Sequence, residues 1–352
     1  MTKNTDTNGD ALDSSTPFTR ETANSLNTSA DRRRFLVGSV ITTVAAMGLS
    51  VLPRRILAAP ASKLKSKYTH NTVPNSFLEV KGVRYAYRRF GTPNGRPPIL
   101  LLQHYIGTMD WWDPALTDGL AASREVILFD NRGVGLSSGE TPNRINTMAD
   151  DTHDFIQGLG LREVDLLAFS IGGMVGQELT LRHPADIRKL ILVGTGPRGG
   201  SGMATPKPHV VKALTDAGAD LRAARPYLFF SQTENGKAAG AAFLARSEER
   251  KSDPDKMPSM QTMQAHNEAL AEFGATDQHA AYMERLKGLK QATLVVNGND
   301  DIMVDTINSY ELSQVIPRSQ LIIYPDAGHG SLFQYASLFV KHVDLFLDRN
   351  DF

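Results

Sequence analysis

From Phe77 onward the chain is divided by short apolar runs. Phe77–Val80 and Val83–Phe90 alternate apolar and polar positions around Lys81-Gly82, which predicts a β-hairpin. Pro97-Pro98 then open Ile99-Leu100-Leu101-Leu102, a continuous run of the kind found in strands buried on both faces of a parallel sheet. Glu125–Phe129, Val164–Phe169, Leu190–Val193, Ala292–Asn297 and Leu321–Tyr324 repeat that pattern. Between these runs the period becomes helical, over Met148–Leu159, Gly173–Arg182, Thr306–Val315 and Ser331–Leu347. Strands alternating with helices after a hairpin predict an α/β fold, a mostly parallel twisted sheet flanked by helices.

The alternation fails from Arg198 to Leu289. This stretch is rich in Ala, Met and charge, helical in period and without a convincing strand. It predicts a helical cap over the carboxyl edge of the sheet, where open α/β sheets bind their ligands. The expected organisation is a leader over 1–61, a first part of the core over 62–197, the cap over 198–289 and the rest of the core over 290–352.

The first 30 residues of the leader are predominantly polar, with almost no apolar periodicity, and read as unstructured. Asp31-Arg32-Arg33-Arg34-Phe35-Leu36 follows, then an uncharged run from Val37 to Leu52, Pro53-Arg54-Arg55, and the small-residue stretch Leu57-Ala58-Ala59-Pro60-Ala61. Paired arginines ahead of Phe-Leu, a weakly apolar stretch and a small-x-small site resemble a twin-arginine export signal. The resemblance implies that Arg32 and Arg33 meet the export machinery, that cleavage follows Ala61, and that the destination is the periplasm or beyond. As a helix the uncharged run spans ~24 Å, short of a hydrocarbon core of ~30 Å. An uncleaved signal that anchors the protein to a membrane is the alternative.

Charge and composition remove several classes of function. Lys and Arg number 38, as do Asp and Glu, so the chain lacks the basic excess of a general nucleic-acid binder. No cysteine is present, which excludes disulfides, thiolate metal sites and a cysteine nucleophile. The nine histidines show no metal-ligand spacing, and Asp151, His153 and Asp154 read as a solvated helix face. Gly133-Val134-Gly135 lacks the third glycine and the spaced acid of a dinucleotide loop, so it reads as a turn braced by Arg132. Neither metal nor cofactor is expected.

The chemistry concentrates at three strand ends. Ala168-Phe169-Ser170-Ile171-Gly172-Gly173 joins a strand directly to a helix. A nucleophile in such a strained turn needs small residues two positions to either side, which Ala168 and Gly172 supply. The amide of Ile171, at the helix N-terminus, then shares the space of the Ser170 hydroxyl. Asn297-Gly298-Asn299-Asp300-Asp301 ends the next-to-last strand, and Asp326-Ala327-Gly328-His329-Gly330 ends the last.

The order Ser170, Asp301, His329 resembles that of the α/β-hydrolase family, over essentially the whole chain after the leader. The resemblance implies a catalytic triad of those residues, with Asp301 preferred to Asp300 as its acid. It also implies an oxyanion hole formed by Ile171 and a residue after the third strand. Where the family usually has His-Gly, this chain has Gln103-His104, so Tyr105 is the expected second donor and Ile106 the alternative. His104, Ile106, Trp111, Tyr227, Phe230, Met260 and Met263 are candidate pocket residues.

The expected activity is cofactor-free hydrolysis of a small, fairly apolar carboxylic ester or lactone through an acyl-enzyme. A serine nucleophile disfavours the dehalogenase and epoxide hydrolase branches, which use a carboxylate. The chain also resembles the cofactor-free haloperoxidase and perhydrolase branch, whose activity is the alternative, and a small-molecule-binding protein that keeps the triad is the rival from outside enzymology.

Overall fold

The alternating runs become β1 (Ser76–Val80), β2 (Val83–Gly91), β3 (Ile99–Leu102), β4 (Glu125–Phe129), β5 (Val164–Phe169), β6 (Ile187–Val193), β7 (Ala292–Gly298) and β8 (Ser319–Tyr324). These strands form one sheet in the order β1-β2-β4-β3-β5-β6-β7-β8. The pairs β1-β2 and β2-β4 are antiparallel and all others parallel. The computed structural model describes residues 67–218 and 220–350. The expected leader, with Arg32 and Arg33, lies outside the described residues.

The helices are α1 (Pro114–Ala121), α2 (Ile145–Gly158), α3 (Ile171–Arg182), α4 (Pro208–Ala217), α5 (Arg225–Phe229), α6 (Glu234–Ser247), α7 (Met260–Gly274), α8 (His279–Leu286), α9 (Ile307–Val315), α10 (Ser331–Gln334) and α11 (Ala336–Asp348). Because side chains alternate along a strand, each parallel strand feeds two apolar layers. Leu101, Leu128, Leu167, Ile191 and Leu294 pack with Leu116 and Leu120 of α1 and Phe339 and Val343 of α11. Their neighbours Leu100, Ile127, Leu166, Leu190 and Val295 pack on the other face with Phe155 of α2, Leu179 of α3 and Leu312 of α9.

Three features depart from the sequence expectation. The first is β6, which starts at Ile187 rather than Leu190, because its charged residues have partners. Arg188 donates to both oxygens of the buried Asp165, at 2.8 and 2.6 Å, and Lys189 Nζ donates to the carbonyls of Phe346 and Arg349. The second is α1, absent from the expectation, which Asp113 caps by accepting from the Ala115 amide at 2.9 Å, with Pro114 in its first turn. The third is α8. Its Tyr282 and Leu286 join Leu190 and Val295 in the second layer, so this helix flanks the sheet, although the expected cap ran to Leu289.

Candidate active site

Ser170 lies between β5 and α3 with φ 59° and ψ −122°. A non-glycine residue in that region carries a conformational cost of about 1–3 kcal/mol, sustained only when its surroundings dictate the geometry. Here the strand is hydrogen-bonded on both sides, and the Ser170 amide itself donates to the Val193 carbonyl at 2.9 Å. Gly172 explains the spacing from the other direction. A Cβ on it would lie 2.5 Å from the Leu102 carbonyl oxygen and 2.7 Å from that of Gln103. Only glycine lets the first turn of α3 rest on the loop that leaves β3.

The three expected side chains meet. His329 Nε2 lies 2.9 Å from Ser170 Oγ, and its Nδ1 lies 2.8 Å from Asp301 Oδ2. The other oxygen of Asp301 accepts from the amides of Met303 and Val304, at 2.8 and 2.9 Å. Those bonds fix the carboxylate so that it addresses the imidazole. A carboxylate can only accept, so Nδ1 carries the proton and Nε2 offers its lone pair to the hydroxyl. All three residues are buried.

The loop after β3 is organised by its own unusual residues. Gln103 folds back, accepting from the His104 amide at 2.9 Å and donating to the Thr108 carbonyl at 2.8 Å. His104 donates from Nδ1 to the Tyr105 carbonyl at 3.0 Å, which leaves Nε2 as a buried acceptor without a partner among the described residues. The Ile106 amide, at a residue with φ 50°, donates to His266 Nδ1 at 3.0 Å. That bond occupies the Ile106 amide, whereas the Tyr105 amide has no acceptor among the described residues. Both histidines are held neutral: burial pushes His266 down to about 4, and burial with the nearby Arg225 charge holds His104 well below the usual histidine range.

His266 is the residue the sequence reading missed. It lies on the inward stripe of α7, with Thr262, Ala265, Ala269 and Phe273, and in a single sequence a histidine on such a stripe is indistinguishable from core. The same periodicity corrects two expected pocket residues. Met260 is 76% exposed in the first turn of α7, and Tyr227 is 40% exposed because α5 turns Arg225, Leu228 and Phe229 inward instead. Met263 is half-buried. Ile106, Trp111 and His104 are buried, and Phe230 is buried against Phe243 with their rings 5.4 Å apart.

Around the imidazole the wall is aromatic. Phe169 and Phe229 have ring centroids 4.9 and 5.8 Å from His329, and His104 stands 5.5 Å from Phe169, 5.1 Å from Phe229 and 5.6 Å from Trp111. The Phe229 carbonyl accepts from the Gly330 amide at 2.7 Å, and a Cβ on Gly328 or Gly330 would come within 2.8 or 2.7 Å of Phe229. The glycines that flank His329 therefore serve the approach of α5. Two further sequence readings have a physical place. Arg132 pairs with Asp151 at 3.0 Å, and the turn it braces is pinned by the buried Asp130, which accepts from the Met109 and Leu136 amides. His153 is hydrogen-bonded to Asp186 and Asp154 is ion-paired with Lys81.

Comparison with known proteins bears on the fold. A solved α/β-hydrolase fold protein from Chitinophaga pinensis is 39% identical, with a TM-score of 0.75, over 80% of this chain and 99% of that one. A structure titled "Est816 as an N-Acyl homoserine lactone degrading enzyme" is 25% identical, with a TM-score of 0.61, over 77% of this chain and all of that one. Among curated proteins, "Putative carbamate hydrolase RutD" of Caulobacter sp. (strain K31) is 27% identical over 74% of this chain and 90% of its own length. A family model described as alpha/beta hydrolase fold matches residues 97–335. With two-thirds of its length matched by that model, the chain belongs to the α/β-hydrolase fold family.

Proposed function

We propose that this protein is a serine hydrolase that cleaves a small carboxylic ester or lactone through an acyl-enzyme. The observation that carries the reading is the single imidazole bonded at one nitrogen to Ser170 and at the other to Asp301. A serine hydroxyl is a poor nucleophile at neutral pH. Loss of its proton to His329 as Oγ attacks the carbonyl removes that obstacle, and Asp301 stabilises the imidazolium that results. The developing oxyanion is taken by the amides of Ile171, at the positive end of α3, and of Tyr105, the two amides left for it on this geometry. Collapse of the tetrahedral species expels the alkoxide, which takes the proton from His329. Water then repeats the sequence and releases the acid.

The substrate class follows from the walls. Phe169, Phe229, Trp111 and the neutral ring of His104 favour apolar surroundings for the scissile carbonyl, and the structure titled as an N-acyl homoserine lactone degrading enzyme and the curated relative named "Putative carbamate hydrolase RutD" support a small acyl compound. Hydrolysis of a p-nitrophenyl ester series by the wild type and by Ser170→Ala tests the reading. Turnover that drops at least about a thousandfold in the variant is expected, as for loss of a triad nucleophile. Negligible wild-type turnover together with tight binding of a small ester would favour the binding-protein reading instead.

Arg32-Arg33, the uncharged stretch after them and the small residues near Ala61 support export of the folded protein to the periplasm. Replacing both arginines with lysine should retain the precursor in the cytoplasm, as read by fractionation and blotting; normal export would remove the twin-arginine assignment.

A further inference from the structure

Arg225 at the start of α5 is a buried cation. It is 4% exposed, yet no carboxylate lies within ion-pair distance of it among the described residues. Its Nε makes one long bond, 3.3 Å, to the Arg222 carbonyl, and its Nη1 is buried without a hydrogen-bond partner among the described residues. Arg222, three residues earlier, spends its own charge on Asp220. A buried cation left unpaired is costly. Burial pulls Arg225 down to about 10, and the distant carboxylates of Asp220 and Glu248 offset this only in part.

What surrounds the guanidinium points toward the catalytic centre. It sits 5.1 Å from the ring centroid of Trp111 and 5.0 Å from that of Phe243. Trp111 in turn adjoins His104, and His104 adjoins Phe169 and Phe229, the two rings beside His329. On α5, Arg225 is one turn before Phe229, so both occupy the same helix face. Its charge is felt at His104. The cation therefore stands at the far end of the aromatic wall whose near end is the general base.

We infer that Arg225 is an anion-binding subsite of this active site, and that the natural substrate is an ester or lactone carrying a carboxylate that its guanidinium receives. The carboxylate would complete the Arg225 hydrogen bonds in a fork that an ammonium cannot reproduce. The stacked aromatic rings hold the guanidinium in place before the ligand arrives. The inference rests on the hydrolase reading and narrows it: the scissile carbonyl lies among aromatic rings while the opposite end of the substrate is charged.

The test compares monomethyl succinate, glutarate and adipate with the methyl esters of butyrate, pentanoate and hexanoate, by acid release in a pH-stat. A second arm places the carboxylate on the leaving group, using 4-butyryloxybutanoate against butyl butyrate. In the wild type at least one charged ester should exceed its neutral counterpart in kcat/KM. In Arg225→Met that ratio should fall about ten- to hundredfold, the worth of a charged hydrogen-bonded contact, and Arg225→Lys should restore only part of it. Calorimetry with glutarate gives a readout independent of turnover, with binding expected to the wild type and lost in Arg225→Met. A ratio unchanged by Arg225→Met overturns the inference and leaves the hydrolase reading intact. Absence of turnover on every ester, with glutarate binding still dependent on Arg225, overturns the hydrolase reading alone. Should Arg225→Met fail to fold, the wild type decides, since preference for neutral esters in both arms with no glutarate binding refutes the subsite.

Discussion

Gly172→Ala tests the oxyanion geometry with a single methyl group. The new Cβ would lie 2.5 Å from the Leu102 carbonyl oxygen, whereas ordinary contact begins at 3.4 Å, so the start of α3 and the loop after β3 must part by roughly 0.9 Å. Both neighbours are backbone, and neither can rotate away. The displacement separates the two amides assigned to the oxyanion, Ile171 on the helix and Tyr105 on the loop. A misplacement of about 1 Å costs about a hundredfold in rate, and loss of one such donor costs about a hundred- to a thousandfold in kcat. Overpacking adds about 1–3 kcal/mol of destabilisation. The expected result is a folded protein, less resistant to urea, with kcat for p-nitrophenyl butyrate reduced about a hundredfold and KM changed far less. A variant that folds and keeps its kcat within about threefold of wild type would refute the placement of the oxyanion between these segments.

Two other outcomes follow from buried charge. Between the 6.5 of a free histidine and the value of about 4 that burial imposes on His266, the unfolded chain holds a proton that the folded chain lacks. Stability is therefore complete above the upper value and falls as pH drops toward the lower one, by about 3 kcal/mol for this residue. His70, pushed down to about 3 chiefly by burial, acts in the same direction. Urea midpoints at pH 7.5 and pH 5 should differ, and His266→Phe should reduce the difference; equal midpoints would sink the argument. Separately, Arg246 on α6 clamps the buried Asp113 through bonds of 2.8 and 2.7 Å. Arg246→Met should cost about 1–3 kcal/mol by urea unfolding, less than the full penalty for breaking a buried pair because the Arg246 side chain is 30% exposed. An unchanged midpoint would mean that solvent already satisfies Asp113.

The inner parallel strands β3 to β7 were readable because both faces of each are largely buried, which leaves an apolar run with no alternation to misread. The Ser170, Asp301 and His329 positions were readable because glycines and small residues mark the turns that hold them, and Gly172, Gly328 and Gly330 each prove to face a close backbone neighbour. The start of β6 was hidden because Arg188 and Lys189 look like loop until Asp165 and the carbonyls after α11 are placed beside them. The helix α1 is announced by Asp113-Pro114, a capping acid followed by proline, a signal the sequence reading did not take up. For the cap, periodicity gave helices without saying which stripe faces inward. Met260 and Tyr227 consequently point outward, while His266 and Arg225, which nothing local distinguishes, point inward.

The bond from the Gly330 amide to the Phe229 carbonyl couples the covering helix α5 to the loop after β8. Helix α5 and the loop bearing His329 are joined through main chain, so α5 cannot lift as a free flap without breaking that link or carrying the imidazole with it. On the proposed function, passage of reactant and product would then fall to other parts of the covering layer. Lesions in α5 should then register as slower chemistry, even when affinity for the reactant is intact.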